Sequence, residues 1–506
     1  MLEDTSINEE KPSMEEKQQA TGQQGGNSGR HQTIVLTIVV LGTLMGALDS
    51  TIVLLAFPVI NDSLHSDFVT TIWIILAYLL IISVTTTQMG RIGDIYGRSK
   101  IFNLGFAIFT IGSTLCGLSP HIYFLIAFRV VQALGGAIMT ANSGAIIADI
   151  FPRESRGKAY GYNSLGYTSG AMLGIVIGGI ITTFISWQYI FFLNIPIGVI
   201  AVIVGLKYVK DTIRNPTKID LLGITLLAGA LTFLALGLVD FTTAGFSLVS
   251  LTLIVVGALL LPAFVLYDRS LKNPMIDFEA FKNRVLRNAV SSAFFLSLGY
   301  FSVVFLLIMY LQGIRGLSPL DASLLLVPGY VAGSFLGPVM GRLSDKYGSR
   351  EIATLGVVFL VLAIFIYLTL GATSPLYIVL IGSAVSGFGT SMFFPANNSA
   401  VMANARVGSY GSISGLLRTL QNIGILGSFV LAISVAAASI PRQVAFEVFI
   451  GTTNLTGGVT KEFIAGIDHA FYVSLGNLFL AGVLSFIRGR ESRKETSDKL
   501  QKGQEA

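Results

Sequence analysis

Two charged residues of this 506-residue chain stand deep inside the apolar runs of its first half, Asp49 and Arg129. A carboxylate in hydrocarbon is expensive, so its default role is functional, facing a cavity or a partner. A buried carboxyl group is also a candidate for proton exchange near neutral pH, because burial disfavours the charged form. A cationic substrate would favour ionisation at Asp49, and protonation would favour release, which is the simplest logic of antiport. A structural hydrogen bond to the fourth helix or to Ser50 and Thr51 is the competing role. Arg129 needs a carboxylate or several carbonyls wherever it sits in lipid. Gln132 and Asn142 share its helix and are candidate cavity groups. Arg418, Gln421 and Asn422, with Asn397 and Asn398 one segment earlier, form a second polar cluster that could line the same cavity.

A second set of residues recurs. Gly90-Arg91-Ile92-Gly93-Asp94-Ile95-Tyr96-Gly97-Arg98 and Gly341-Arg342-Leu343-Ser344-Asp345-Lys346-Tyr347-Gly348-Ser349-Arg350 share the pattern G-R-[IL]-x-D-x-Y-G. Glycine at both ends lets a short loop pass tightly between helix ends. Asp94 and Asp345 can accept bonds from a helix N-terminus and from arginine, including Arg98. Such a loop suits a charge latch that holds two bundles together in one state, and its duplication implies two related halves. Gly170, Gly174 and Gly178 repeat every four residues, a spacing that permits close helix approach, whether for packing alone or for sliding.

The elements that must position these residues are membrane helices. The chain is 53% hydrophobic and 12% charged, against about 25% charged in a soluble domain. Fourteen apolar segments, the first at 33–58 and the last at 467–487, are each long enough to cross about 30 Å of hydrocarbon as a helix. None alternates as a barrel strand would. Of 33 Lys and Arg residues, 28 fall in the loops and tails of one side, three (Arg315, Arg442 and Lys461) on the other, and Arg129 and Arg418 within segments. Basic residues stay cytoplasmic, so both termini are expected inside. The loops carry the net charge of +5, which therefore marks topology and not nucleic-acid binding. Cys116 is the single cysteine, which excludes an intrachain disulfide and a cysteine metal site. The four histidines sit in a tail or at outer helix ends, and no phosphate-binding G-x-x-x-x-G-K-[ST] loop occurs. An ATP-driven pump, a metal enzyme and a histidine relay are thereby disfavoured.

The repeated loop resembles the signature of the major facilitator superfamily. Leu48 through Pro58, Arg129 through Ala137, Gly166 through Gly179 and Trp187 through Gly198 resemble, in order, the first-, fourth-, fifth- and sixth-helix motifs of its fourteen-span drug/proton antiporters. The chain departs from those motifs at Ala133, Ile175 and Gln188. The resemblance implies an all-α fold of two six-helix bundles with two inserted helices. Residues 1–32 would be a disordered cytoplasmic tail and 33–209 the N-terminal bundle. Residues 210–287 would hold the two linker helices and a cytoplasmic loop, 288–488 the C-terminal bundle and 489–506 a basic cytoplasmic tail. It also implies proton coupling through Arg129 and a glycine stripe at the interface between the halves.

These observations lead to the expectation of a non-enzymatic, proton-coupled exporter of hydrophobic or cationic compounds in the plasma membrane. It should act as a monomer, with no cofactor beyond protons. Its partners should be a small-molecule substrate and the bilayer, with no nucleic acid. Transport of one metabolite, such as a sugar, amino acid or siderophore, is the alternative. A non-transporting sensor would be expected to carry a cytoplasmic signalling domain. The outer loop around 440–466 is expected to be a connector or a short hairpin.

Overall fold

In lipid every backbone polar group must be satisfied within its own segment, so long apolar runs become helices. The computed structural model describes residues 14–151, 153–209, 220–244, 247–271, 274, 276, 280–404, 410–438 and 459–489. Fourteen helices among them are long and apolar enough to span a membrane. We label them α1 (Arg30–Ser63), α2 (Val69–Tyr96), α3 (Arg98–Gly117), α4 (Ile122–Ile147), α5 (Ala159–Phe184), α6 (Tyr189–Tyr208), α7 (Leu221–Phe241), α8 (Leu248–Ser270), α9 (Arg284–Ile314), α10 (Pro319–Ser344), α11 (Ser349–Tyr367), α12 (Tyr377–Ala403), α13 (Ile413–Ala436) and α14 (Lys461–Ile487). α1 is the apolar part of a longer helix that begins at Met14, so residues 14–32 are helical where a disordered tail was expected. Of the expected outer loop at 440–466, residues 459–466 are helical, as the start of the helix that carries α14, and the rest, with the tail beyond Gly489, falls outside the described residues.

Local chemistry sets several helix starts. Ser318 caps α10 by accepting from the Asp321 amide at 3.1 Å, ahead of Pro319 at the first helical position. Ser247 and Ser250 form a reciprocal capping box at α8. Asn283 accepts from the Val285 and Leu286 amides at the start of α9.

The duplication seen in the loops is repeated in the packing. α1 packs on α5 as α9 packs on α13; α3 on α4 as α11 on α12; α2 on α4 as α10 on α12; and α3 on α6 as α11 on α14. Each pair recurs eight helices later because α7 and α8 are inserted between the halves. These two form a hairpin whose α7 docks on α13 and α2.

The halves meet along α5/α10 and α2/α13. At the end remote from the Gly97 and Gly348 loops, Gln312 Nε2 donates to Leu55 O at 3.1 Å and the Leu320 amide donates to Thr183 Oγ1 at 3.1 Å. Phe57 and Phe305 meet edge to face there, 5.4 Å between centroids. Gln312 belongs to a π-helical stretch, Tyr310–Ile314, at the end of α9. Nearer the loops, Thr87 of α2 and Thr419 of α13 pair at 2.8 Å.

Candidate functional site

Asp49 and Arg129 are 80 positions apart in sequence and form one ion pair. Arg129 Nη1 donates to Asp49 Oδ2 at 2.6 Å and to Gln132 Oε1 at 2.8 Å. Gln132 Nε2 donates to Asp49 Oδ1 at 2.7 Å, and Asn194 Nδ2 to the same oxygen at 3.3 Å. Arg129 Nε donates to Ile74 O at 3.0 Å, and the guanidinium lies 4.0 Å over the Tyr78 ring. Asp49, Gln132 and Asn194 are 0% exposed and Arg129 is 1% exposed. Five helices therefore contribute: α1, α2, α4, α6 and, through Ser113, α3. Asn194 Nδ2 also donates to Ser113 Oγ at 3.0 Å, and that hydroxyl donates to Phe191 O at 2.8 Å. Each charge has what low dielectric demands of it, an opposite charge and further hydrogen bonds.

This arrangement gives the contacts of residues that sequence left open. Asp49 bonds the fourth helix, not Ser50 or Thr51, whose hydroxyls donate to backbone carbonyls: Ser50 to Gly46 O, and Thr51 to Ala47 O of its own helix and Ala171 O of α5. Gln132 was a cavity candidate; it is instead enclosed between Asp49 and Arg129, because it follows Arg129 by three residues on the same helical face. Asn142 lies elsewhere, with Nδ2 donating to Ile138 O at 2.9 Å and Met89 O at 3.3 Å. It supports the first loop, since a Cβ at Gly93 would stand 2.9 Å from Asn142 Cγ. Asn194 and Ser113 were missed. The trace that could have found Asn194 is its place in the sixth-helix motif, two residues before Pro196.

The first loop forms a three-residue charge cluster. Arg98 Nε donates to Asp94 Oδ1 at 2.7 Å, and Nη1 donates to both Asp149 oxygens at 2.7 and 2.8 Å. Gly97, at φ 108°, sits where L side chains are strained. A Cβ at Gly90 would meet only Ala141 Cβ at 3.8 Å. These ion pairs join α2, α3 and the end of α4, all in one half, so they staple a bundle to itself and do not bridge the two. The loop reaches outward through Arg91, whose Nη2 donates to Pro274 O at 2.7 Å, beyond the inserted hairpin. In the second loop Gly348 repeats the turn at φ 105°, while the Asp345 side chain lies outside the described residues. Gly341 faces Pro395 with room for a Cβ, at 3.8 Å. A neighbouring anchor unforeseen from sequence is Arg488, fully buried, whose guanidinium donates to Asn397 Oδ1 at 3.1 Å and Ser349 Oγ at 2.7 Å.

The glycine stripe lies against α1, not between the halves. A Cβ at Gly170 would stand 2.9 Å from Leu44 Cα, at Gly174 2.5 Å from Leu48 O, and at Gly178 2.8 Å from Ile52 Cγ1. The interface glycine is Gly179, where a Cβ would be 3.0 Å from Leu320 Cα of α10. One residue is about 100° of helix rotation, which separates the two faces. In the second half, Gln421 is buried, whereas Arg418 and Asn422 are partly exposed.

Two six-helix bundles of matching packing, an inserted hairpin and a buried charge pair within one bundle define a polytopic membrane transporter and not an enzyme. The chain belongs to the Major Facilitator Superfamily, whose family description matches residues 39–428. It is 29% identical over 472 residues to the riboflavin transporter RibZ of Clostridioides difficile, covering 92% of this chain and 100% of that protein. It is 30% identical over 393 residues to multidrug resistance protein 3 of Bacillus subtilis, covering 76% of each. In fold it is similar to a bacterial homolog of the human lysosomal transporter Spinster, solved in an inward-facing, unoccupied conformation. That likeness has a TM-score of 0.63 at 16% identity, over 90% of this chain and 97% of the other.

Proposed function

We propose that the protein is a secondary active transporter that exports amphipathic, largely apolar compounds in exchange for protons, by alternating access of its two halves. The supporting observation is the Asp49–Arg129 pair at 2.6 Å with both side chains almost wholly buried. Protonating Asp49 removes the counter-charge of Arg129 and loosens one node shared by α1, α2, α4 and α6. A proton is thereby converted into a change in how the first bundle packs. Protons are the coupling ion and no other cofactor is invoked. The transporter works as a monomer in the plasma membrane with both termini cytoplasmic, as the loop charges favour.

The apolar part of the expected substrate is retained. The cationic part depended on Asp49 lining the cavity, and a carboxylate at 0% exposure that is already paired offers a cation nothing in this state. Transport of one metabolite is the second reading, favoured by the relative named for riboflavin transport. The test is accumulation of a dye panel, and of riboflavin, in everted membrane vesicles with and without an imposed pH gradient. Gradient-dependent movement of several dyes supports the first reading, and movement of riboflavin alone the second. Movement that ignores the gradient refutes proton coupling.

A further inference from the structure

The two repeated loops end on the same turn and then diverge. Gly97 and Gly348 hold φ 108° and 105°, and each is followed at once by a helix, α3 or α11. The first residue of that helix is Arg98 in the first half and Ser349 in the second. Arg98 Nη1 donates to Asp149 and so joins α3 to the end of α4. A serine hydroxyl is too short to reach across in that way. A guanidinium nevertheless arrives at Ser349, from another helix. Arg488, directly after α14, donates through Nη2 to Ser349 Oγ at 2.7 Å and through Nη1 to Asn397 Oδ1 at 3.1 Å. It thereby joins α11 to α12, the pair that corresponds to α3 and α4.

The helix that delivers Arg488 is the counterpart of α6, and a second contact gives the register. Five residues after Arg98 and Ser349 stand Asn103 and Thr354. A Cβ at Gly205 of α6 would stand 3.0 Å from Asn103 Cγ, while Thr354 Oγ1 donates to Ser485 Oγ of α14 at 3.0 Å. Gly205 and Ser485 are therefore equivalent, and three residues further on Arg488 answers to Tyr208. Between the halves the guanidinium has changed helices: Arg98 with Tyr208 in one, Ser349 with Arg488 in the other. The last turn of α14 is held in place around it. Arg350 lies 5.3 Å over the Phe486 ring, and Gly489, at φ 94°, ends the helix. Arg488 is fully buried, whereas the Arg98 side chain is 22% exposed, so the second staple is the less screened.

We propose that Arg488 is a positioning residue of the transport cycle. It supplies the guanidinium of the second loop from the end of the last helix, so that α11, α12 and α14 move as one body when the halves rock. The inference rests on the transporter reading above, and it gives a part in the conformational change to a residue outside both repeated motifs. The planar fork suits the task, since two nitrogens of one rigid group meet acceptors on two helices.

The test is a transplantation. Arg488→Gln removes the guanidinium, and Ser349→Arg in the same chain returns one at the position that Arg98 holds in the first half. Spin labels at Tyr96→Cys and Tyr347→Cys, both exposed, report the separation of the two loops by pulsed electron–electron resonance. The protein is full-length, in nanodiscs, with Cys116→Ser. Arg488→Gln should broaden the distance distribution by about twofold, because the loop no longer follows its bundle. It should lower gradient-driven rhodamine 6G uptake in everted vesicles by about tenfold, with apparent KM little changed. Arg488→Lys, which keeps the charge without the fork, should do less on both counts. Ser349→Arg combined with Arg488→Gln should return both readouts to within about twofold of the unsubstituted values. A purely structural anchor would lower the melting temperature and leave the distances alone; that result overturns the proposal, as does a double variant no better than Arg488→Gln. Should Arg488→Gln fail to fold, a folded double variant with unaltered distances sustains the proposal, and one that also fails to fold overturns it. The distances need no substrate, so vesicles of unsubstituted protein that move no dye would refute the export reading while the role of Arg488 is still decided.

Discussion

Replacing Asp49 by asparagine separates the structural from the coupling role of the buried pair. The carboxylate accepts three hydrogen bonds, from Arg129, Gln132 and Asn194, at 2.6, 2.7 and 3.3 Å. Breaking a buried pair by removing one partner costs about 3–5 kcal/mol, because the other charge is left uncompensated. Asparagine keeps one acceptor and nearly the same volume, and Arg129 keeps Ile74 O, Gln132 and the Tyr78 ring. The loss should therefore sit at the low end, about 3 kcal/mol. Arg129→Gln should cost less, about 2 kcal/mol, since Asp49 retains two amide donors and can take up a proton. If the two groups stabilise each other, the double variant should be more stable than the sum of single effects implies, with a coupling of about 2 kcal/mol. Reversible unfolding of the purified protein in mixed micelles measures all four corners. Substrate-induced proton release in proteoliposomes measures coupling, which Asp49→Asn should abolish and Asp49→Glu should partly retain with a shifted pH dependence. A coupling energy near zero would refute the energetic account. An unaltered proton-to-substrate ratio in Asp49→Asn would place the carrier elsewhere, with Asp149, Asp240 and Asp321 next to test.

The glycines give a graded series. Gly174→Ala should destabilise by about 1–3 kcal/mol through overpacking on Leu48, Gly90→Ala should be neutral, and Gly179→Ala, overpacked on Leu320 and Ser323 of the other half, should change transport as well as stability; melting temperatures and vesicle uptake distinguish the three. Asp94→Ala should lower stability by about 1 kcal/mol or less, since the Arg98 cluster is partly solvated, while lowering transport more than proportionally; Asp345→Ala should lower transport less, and full uptake in both would remove a conformational role for the loops. Accessibility of single tags to membrane-impermeant reagents should place residues 5, 210 and 500 on one side and residue 455 on the other. Residues 5 and 455 on the same side would refute the fourteen-span topology.

The sequence by itself determined the spans, because the length of an apolar run and the bilayer's intolerance of unpaired backbone leave helix as the solution. It also revealed the duplication, through two loops whose glycines and aspartates recur in register. It marked Asp49 and Arg129, since a deep charge is conspicuous against hydrocarbon whatever it touches. Tertiary structure alone decided what each residue touches. Asp49 and Arg129 became one pair because α1 and α4 pack close enough to join them. Asn194 and Ser113 joined them although neither is conspicuous in sequence, since an amide and a hydroxyl in a span are common. Asn142 left the cavity for the first loop, and Gly174 and Gly179 took different faces of α5, because direction around a helix acquires meaning only once its neighbours are placed. The contrast between Arg129 and Arg418 is of the same kind: both are arginines within apolar helices, and only the arrangement of the surrounding helices gives one a carboxylate and leaves the other without an ion pair among the described residues.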